Sequence, residues 1–97
     1  MAIVMMMEWP GFTTANYDEV LRIANIAGDP PAGNTFHLAA QDGDTLRVID
    51  VWQSPEQFEA FTQSRLMPAV QQAGITGQPN VKVLPTHNIL TPGYNAK

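Results

Sequence analysis

Apolar and polar residues alternate with different spacings along the chain, and these spacings predict four strands. Residues 3–9 form an apolar run that is typical of a buried strand. Further runs with the composition of strands lie at residues 34–41, 45–53 and 80–90. Pro85 interrupts the last run, so that strand is expected at an edge of the sheet or at a bulge.

Two helices are predicted between these strands. In the first, Thr14 is the expected N-cap and Gly28 the expected stop. The second begins at residues 54–57, Ser-Pro-Glu-Gln. There serine caps the helix, proline occupies the first turn where its missing N–H costs nothing, and glutamine completes a capping box. This helix is expected to kink at Pro68 and to end at Gly74.

The order of elements is therefore β-α-β-β-α-β in a single domain, residues 1–97, and the fold class is α+β. This order is typical of the ferredoxin-like fold, a four-stranded antiparallel sheet with both helices on one face. The expected strand order is four, one, three, two. Both faces of the first and third strands are apolar, although the helices can cover only one of them. The uncovered face predicts a homodimer in which two chains pack sheet to sheet.

Composition narrows the classes of function. Five Lys and Arg against nine Asp and Glu give a net charge of -4, which argues against nucleic-acid binding because phosphate contacts need clustered cations. The chain has no cysteine, which excludes a disulfide or a thiolate metal site. The apolar run near the start is too short for a signal peptide or a membrane span. We therefore expect a cytoplasmic protein that does not bind membranes.

Three segments carry a resemblance to known proteins: V-M-M-M-E-W-P-G-F-T, R-V-I-D-V-W-Q-S-P-E-Q-F-E-A-F and V-K-V-L-P-T-H. The second is the most specific, because it combines an acidic residue, an aromatic residue two positions on, a helix cap and two aromatics at helical spacing. Together the segments resemble the dimeric α/β barrels that include the antibiotic-biosynthesis monooxygenases. The resemblance runs over nearly the whole chain. It implies a homodimer whose two sheets close into a barrel, each half holding a small cavity.

Members of this group differ in their chemistry, and include cofactor-free oxygenases, haem-degrading enzymes and isomerases. The haem-degrading branch depends on an asparagine in the first strand and a histidine on the second helix. Residues 1–9 contain no asparagine and residues 55–73 no histidine. In the cofactor-free, quinone-forming branch a phenol is deprotonated and then reacts with oxygen. That mechanism needs a general base, an apolar pocket and stabilisation of an anion, but no metal. We therefore expect neither a cofactor nor a metal.

Asp50 is an unexpected residue for the third strand, because it lies where the strand should be driest. A two-residue turn at Asp42-Gly43 would pair Thr35 with Asp50 and His37 with Val48. Residues that are opposed across a strand pair share a face of the sheet. His37 and Asp50 would then be diagonal neighbours, within reach of a direct or water-bridged hydrogen bond.

This pairing predicts how the third strand faces. We predict that His37, Asp50 and Trp52 line a polar pocket inside the barrel, between the two sheets. Ile49 and Val51 are then expected to meet the helices. In such a pocket the carboxylate would hold the imidazole in one tautomer.

Two functions remain open at this stage. The first is a small enzyme that acts on an aromatic or enolisable metabolite, with His37 as the base and Asp50 orienting it. The second is a non-catalytic barrel that binds a small apolar molecule, in which His37 and Asp50 form a structural pair. Metal binding has less support, because two histidines and one aspartate on separate strands show no ligand spacing. In either case the residues expected to line the pocket are Thr35, Trp52, Phe61 and His87.

Overall fold

The computed structural model describes residues 1–93, and its four strands form one antiparallel sheet. The strands are β1 (Ile3–Pro10), β2 (Asn34–Asp42), β3 (Thr45–Trp52) and β4 (Asn80–Pro85). Their order across the sheet is β2-β3-β1-β4, which confirms the predicted order. β2 and β4 are therefore the two edges. The final strand ends at Pro85, shorter than the predicted run to residue 90.

Two helical segments connect these strands and complete the ferredoxin-like α+β fold. The first helix, α1, spans Thr14–Ile23. The second segment consists of α2 (Pro55–Phe61), a π-helical turn (Thr62–Leu66) and α3 (Met67–Gln72). No helix within the described part of the chain is both long and apolar enough to cross a membrane.

The ends of both helices are set by local hydrogen bonds. Thr13, one residue before the predicted cap, begins α1 through a capping box with Asn16. Ser54 caps α2 as predicted, and its hydroxyl accepts a hydrogen bond from the backbone N–H of Gln57 at 3.2 Å. α1 stops at Ile23, five residues before the predicted glycine, because Asn25 takes the left-handed conformation with φ 56°.

The core lies between the helices and one face of the sheet. This face carries the alternate residues of β1 and β3: Ile3, Met5, Met7, Trp9, Leu46, Val48 and Trp52. They pack with Val20 of α1 and with Ala69 and Val70 of α3. Asp50 belongs to the same alternation and is 6% exposed.

The predicted facing of β3 was therefore wrong. Asp50 and Trp52 point under the helices rather than between two sheets, and Ile49 and Val51 lie on the opposite face. Both faces of the strand are apolar, so its own pattern could not decide which of them the helices cover. On the helix-facing side Trp52 packs against Phe61 of α2, with 5.5 Å between the two ring centroids.

The turn between β2 and β3 is centred one residue later than predicted. Asp42 pairs with Thr45, so Gly43 and Asp44 form the loop, and Gly43 has φ 61°. A glycine at the first central position is the preference of a type II′ hairpin turn. The later turn moves the partner of Asp50 by two positions, from Thr35 to His37.

A kink was predicted at Pro68, and the structure has a π-helical turn that begins six residues before this proline. Pro68 has no N–H to donate, so the backbone before it cannot continue the regular i→i−4 pattern. The backbone N–H of Met67 instead bonds Thr62 O, five residues back. This wider turn keeps the helix continuous as far as Gln72, and Gly74 follows its end with φ 77°.

Substitution of Trp52 tests the core. Trp52 is 1% exposed, so Trp52→Ala is expected to lower the free energy of unfolding by about 3 to 5 kcal/mol through lost burial and the cavity left behind. Chemical denaturation monitored by circular dichroism measures this. Gln53→Ala, at the exposed neighbouring position, is the control, and equal midpoints for the two variants would contradict the placement of Trp52.

Candidate functional site

A pocket of about 130 Å³ lies between the sheet and the helices of a single chain. Its walls are mostly apolar, with methionines and Trp9 from β1, Val20 from α1 and aromatics from α2. The polar groups cluster on one wall, where Asn34, His37 and Asp50 are contributed by β2 and β3. An apolar chamber with its polar groups on one wall is the usual character of a small-molecule site.

The helical side of the pocket depends on the π-helical turn and on Arg65 within it. Arg65 donates from Nη2 to the carbonyl oxygens of Ala24, at 2.6 Å, and Asp29, at 2.7 Å. These bonds hold the segment after α1 in place, and Ile26 and Pro31 of that segment line the pocket. π-helical turns often occur at functional sites.

Asp50 holds two donors at the polar wall. Its Oδ1 lies 2.5 Å from His37 Nδ1, and its Oδ2 accepts a hydrogen bond from Trp52 Nε1 at 3.2 Å. A carboxylate only accepts hydrogen bonds, so in a neutral imidazole the Nδ1 of His37 carries the proton and Nε2 is left as an acceptor. The tautomer of His37 is therefore set by its neighbour.

Tyr17 of α1, which also lines the pocket, completes this arrangement. Its hydroxyl lies 2.5 Å from His37 Nε2, and because Nε2 is an acceptor the tyrosine O–H donates. The two rings are nearly parallel, with an interplanar angle of 5° and centroids 5.8 Å apart. A continuous chain of hydrogen bonds thus runs from Tyr17 through His37 to Asp50 and Trp52.

The hydroxyl of Tyr17 is held in its protonated form. Partial burial is the main cause that raises the pKa of this group above its ordinary value of 10.0, and the carboxylates of Asp50 and Asp18 raise it further. Both causes disfavour the anion, the first by removing water and the second by charge repulsion. Tyr17 is therefore a hydrogen-bond donor to His37 at neutral pH.

The structure brings together four of the six site residues that were named from the sequence. His37 and Asp50 are directly opposite each other in the strand pair, closer than the predicted diagonal. Trp52 and Phe61 line the same pocket.

Thr35 and His87, the other two residues named from the sequence, do not line this pocket of the single chain. Thr35 is the extra residue of a bulge between Asn34 and Phe36, and its hydroxyl donates to Val51 O at 3.3 Å. The bulge removes Thr35 from the alternation that the prediction had relied on. His87 follows the end of β4 and is exposed.

Tyr17 was not named as a site residue, although the sequence held a signal for it. The residue lies on the inward stripe of α1 together with Val20 and Leu21. A partly buried tyrosine usually needs a partner for its hydroxyl. Once the face of the sheet is known, His37 and Asp50 are the nearby polar side chains that could supply one.

The described residues contain no group of three or more His, Asp or Glu side chains arranged to hold a metal ion. The polar wall contributes one imidazole and one carboxylate, and these bond each other. The arrangement is suited to proton transfer. The hydroxyl of Tyr17 can donate a proton, His37 Nε2 can accept it, and the Asp50 carboxylate can stabilise the resulting charge.

Solved structures share this fold. A protein of unknown function from Nitrosomonas europaea aligns with a TM-score of 0.69 and 18% identity, covering 95% of this chain and 95% of that one. A variant of SnoaB, a cofactor-independent oxygenase from Streptomyces nogalater, aligns with a TM-score of 0.66 and 15% identity, covering 92% and 96%. A Caulobacter crescentus protein, provisionally described as an antibiotic biosynthesis monooxygenase, aligns with a TM-score of 0.66 and 13% identity, covering 90% and 91%.

These similarities concern the fold. Neither a protein-family model nor a curated protein matches the sequence. The structural alignments support the antibiotic-biosynthesis-monooxygenase-like, ferredoxin-like fold that the sequence segments resembled. Their identities are below 25%, so what the pocket does has to be argued from its own residues.

The raised pKa of Tyr17 gives a testable titration. Tyrosinate absorbance should show a component that ionises above pH 10.0, and Tyr17→Phe should remove it. Above that pH the unfolded chain loses the proton while the folded chain keeps it. Stability should therefore fall as pH rises from the unfolded pKa towards the folded one. A late-ionising component that persists in Tyr17→Phe would contradict this assignment.

Proposed function

We propose that the protein is a cofactor-independent monooxygenase that acts on a small aromatic or enolisable molecule. The observation that carries this proposal is the His37–Asp50 pair at the polar wall of an otherwise apolar pocket. A base oriented by a carboxylate can take the proton of a phenol or enol. The shared fold with SnoaB, described as a cofactor-independent oxygenase, is consistent with this chemistry.

The volume of the pocket indicates the size of the substrate. A dry protein cavity of about 150 Å³ is known to bind benzene, so the pocket of about 130 Å³ is suited to a single ring. The lining from Met5, Met7 and Phe61 offers flat and adaptable apolar contacts. A one-ring phenol would place its ring among these side chains and its hydroxyl at the polar wall.

Dioxygen is the only co-reactant that the proposed reaction needs. A phenol with an unsubstituted ring carbon opposite the hydroxyl reacts with dioxygen to give a quinone and water. One oxygen atom bonds to that carbon, and the other leaves as water with the two hydrogens lost from the hydroxyl and the ring carbon. Removal of the hydroxyl proton comes first, because the anion gives electrons to oxygen more readily than the neutral phenol.

Oxygen uptake with a panel of one-ring phenols that are unsubstituted opposite the hydroxyl tests the proposed activity. His37→Ala is expected to lower the rate by about 10²- to 10⁴-fold, the usual contribution of a general base. Asp50→Asn should lower the rate as well. An amide that presents its NH₂ group to Nδ1 would favour the tautomer of His37 that carries its proton on Nε2. Gln63→Ala, on the exposed helix surface, is the control. Equal rates for His37→Ala and Gln63→Ala, or no quinone from the natural protein, would contradict the proposal.

A second candidate function is binding without catalysis. Every polar group of the His37 side chain is already paired within the protein, as it would be in a purely structural network. Such a barrel would hold a small apolar ligand and leave it unchanged. Ligand binding to the natural protein without oxygen uptake distinguishes this function from the first.

We also propose that the chain forms a homodimer through the outer face of the sheet, away from the helices. Apolar side chains on that face are well exposed, with Met6 and Leu38 at 41% and Leu84 at 42%. Monomeric proteins rarely leave a large contiguous apolar surface in water. In the proposed barrel, the β2 edge of one chain lies near β4 and the residues up to 90 of its partner.

Light scattering at micromolar concentration tests the dimer. The natural protein should have twice the chain mass, because an interface above about 1,000 Å² is expected to be stable. Met6→Lys should shift the population towards monomer by placing a charge in the interface. Gln63→Lys adds the same charge on the exposed helix surface and should leave the mass unchanged. A folded monomer for the natural protein would contradict the proposed assembly.

A further inference from the structure

Both ring nitrogens of His37 are engaged in the structure. Nδ1 bonds Asp50, and Nε2 accepts the hydrogen bond from the hydroxyl of Tyr17. A neutral imidazole has one donor and one acceptor position, so no lone pair remains for another hydroxyl. A substrate that enters the pocket therefore meets the oxygen of Tyr17 before it can reach the base.

The oxygen of Tyr17 is suited to receive a proton from a substrate. A phenolic hydroxyl donates one hydrogen bond and also accepts, so Tyr17 can donate to His37 while it accepts from a second hydroxyl. Tyr17 lines the same pocket as the apolar walls. The rings of Tyr17 and His37 are nearly parallel, with an interplanar angle of 5°.

We propose that Tyr17 is the catalytic residue that touches the substrate, and that it relays the substrate's proton to His37. The proposal rests on the proposed function of this pocket as a site of phenol or enol deprotonation. The O–H bond of the substrate breaks and its proton bonds to the Tyr17 oxygen, while the proton of Tyr17 passes to His37 Nε2. No electron is transferred in this step.

The products of the step are a substrate anion, a neutral Tyr17 and an imidazolium paired with the Asp50 carboxylate. Asp50 keeps the Nδ1 proton of His37 as a hydrogen bond throughout and stabilises the cation. The anion retains a hydrogen bond from the tyrosine hydroxyl. The pKa of Tyr17, raised by burial and by Asp50 and Asp18, keeps the relay residue protonated before and after the transfer.

A different role for Tyr17 is that of a cap which a substrate displaces. In that case the substrate hydroxyl would bond Nε2 directly, and the tyrosine hydroxyl would only compete with it. The two roles differ in what Tyr17→Phe does. If Tyr17 is a relay, loss of its hydroxyl should reduce ionisation of the substrate. If Tyr17 only competes for Nε2, its loss should leave ionisation unchanged or increase it.

The experiment uses 4-nitrophenol, a one-ring phenol whose anion is yellow, in a buffer in which the free compound is mostly neutral. Calorimetry measures binding, and the visible absorbance of the bound compound measures its ionisation. The natural protein is expected to bind 4-nitrophenol and to raise its ionised fraction. Tyr17→Phe, which keeps the ring, should still bind it, but the ratio of bound anion to bound neutral phenol should fall about tenfold or more.

Thr35→Val is the control, because it removes a hydroxyl from β2 outside the pocket and should leave ionisation unchanged. Ionisation by Tyr17→Phe that equals or exceeds that of the natural protein would overturn the relay in favour of the displaced cap. Failure of the natural protein to bind or ionise the probe would overturn it as well. Ionisation without oxygen uptake from any phenol of the panel would leave the relay in place and remove the monooxygenase proposal.

Discussion

The carboxylate of Asp50 is held beneath the helices, and the geometry of the site depends on how it is satisfied. Removing a charge from water costs several kcal/mol unless hydrogen bonds replace its hydration. Here the imidazole of His37 and the indole of Trp52 each supply one donor. The loss of either donor would leave part of a buried charge unpaired, which is more costly than the loss of an ordinary hydrogen bond. The carboxylate therefore constrains both β2 and the core aromatic.

From this constraint the direction of both hydrogen bonds of the His37 side chain follows. A group that only accepts fixes the proton of His37 on Nδ1, and this leaves Nε2 to accept from Tyr17. The series of hydrogen bonds runs from Tyr17 of α1 through His37 to Asp50 of β3, and Tyr17 lines the pocket. The Tyr17 hydroxyl is the end of this network that a substrate in the pocket could join.

Much of the fold could be predicted from the sequence, because its signals are local. The strands follow from apolar runs, and the start of α2 follows from Ser54 with Pro55 after it. The sharing of one face by His37 and Asp50 survived a wrong turn assignment, since the later turn changed the pairing by two residues and the side-chain period of a strand is two. Turn preferences alone did not decide between Asp42-Gly43 and Gly43-Asp44, because both dipeptides are favoured in two-residue hairpin turns.

The candidate site was harder to predict, because its geometry depends on contacts between elements. Which face of the sheet lies under the helices could not be read from β1 or β3, whose two sides are both apolar. The bulge moved Thr35 out of the alternation of β2, although threonine itself is typical of a regular strand. Tyr17 could be placed on the inner side of α1 from its spacing. Its partner was set by how that helix lies across β2, which the sequence pattern does not specify.

The π-helical turn at Thr62–Leu66 has a consequence for comparing this chain with its structural neighbours. Such a turn holds one residue more than the regular helix that it interrupts. In an α-helix one residue corresponds to a rotation of about 100°, so the extra residue decides which side chains after it face the sheet. A neighbour with a regular helix here should align only if a one-residue gap is opened between Phe61 and Met67. Without that gap, Leu66 and Val70 would be matched to surface positions, and the true relationship of the two sequences would be underestimated.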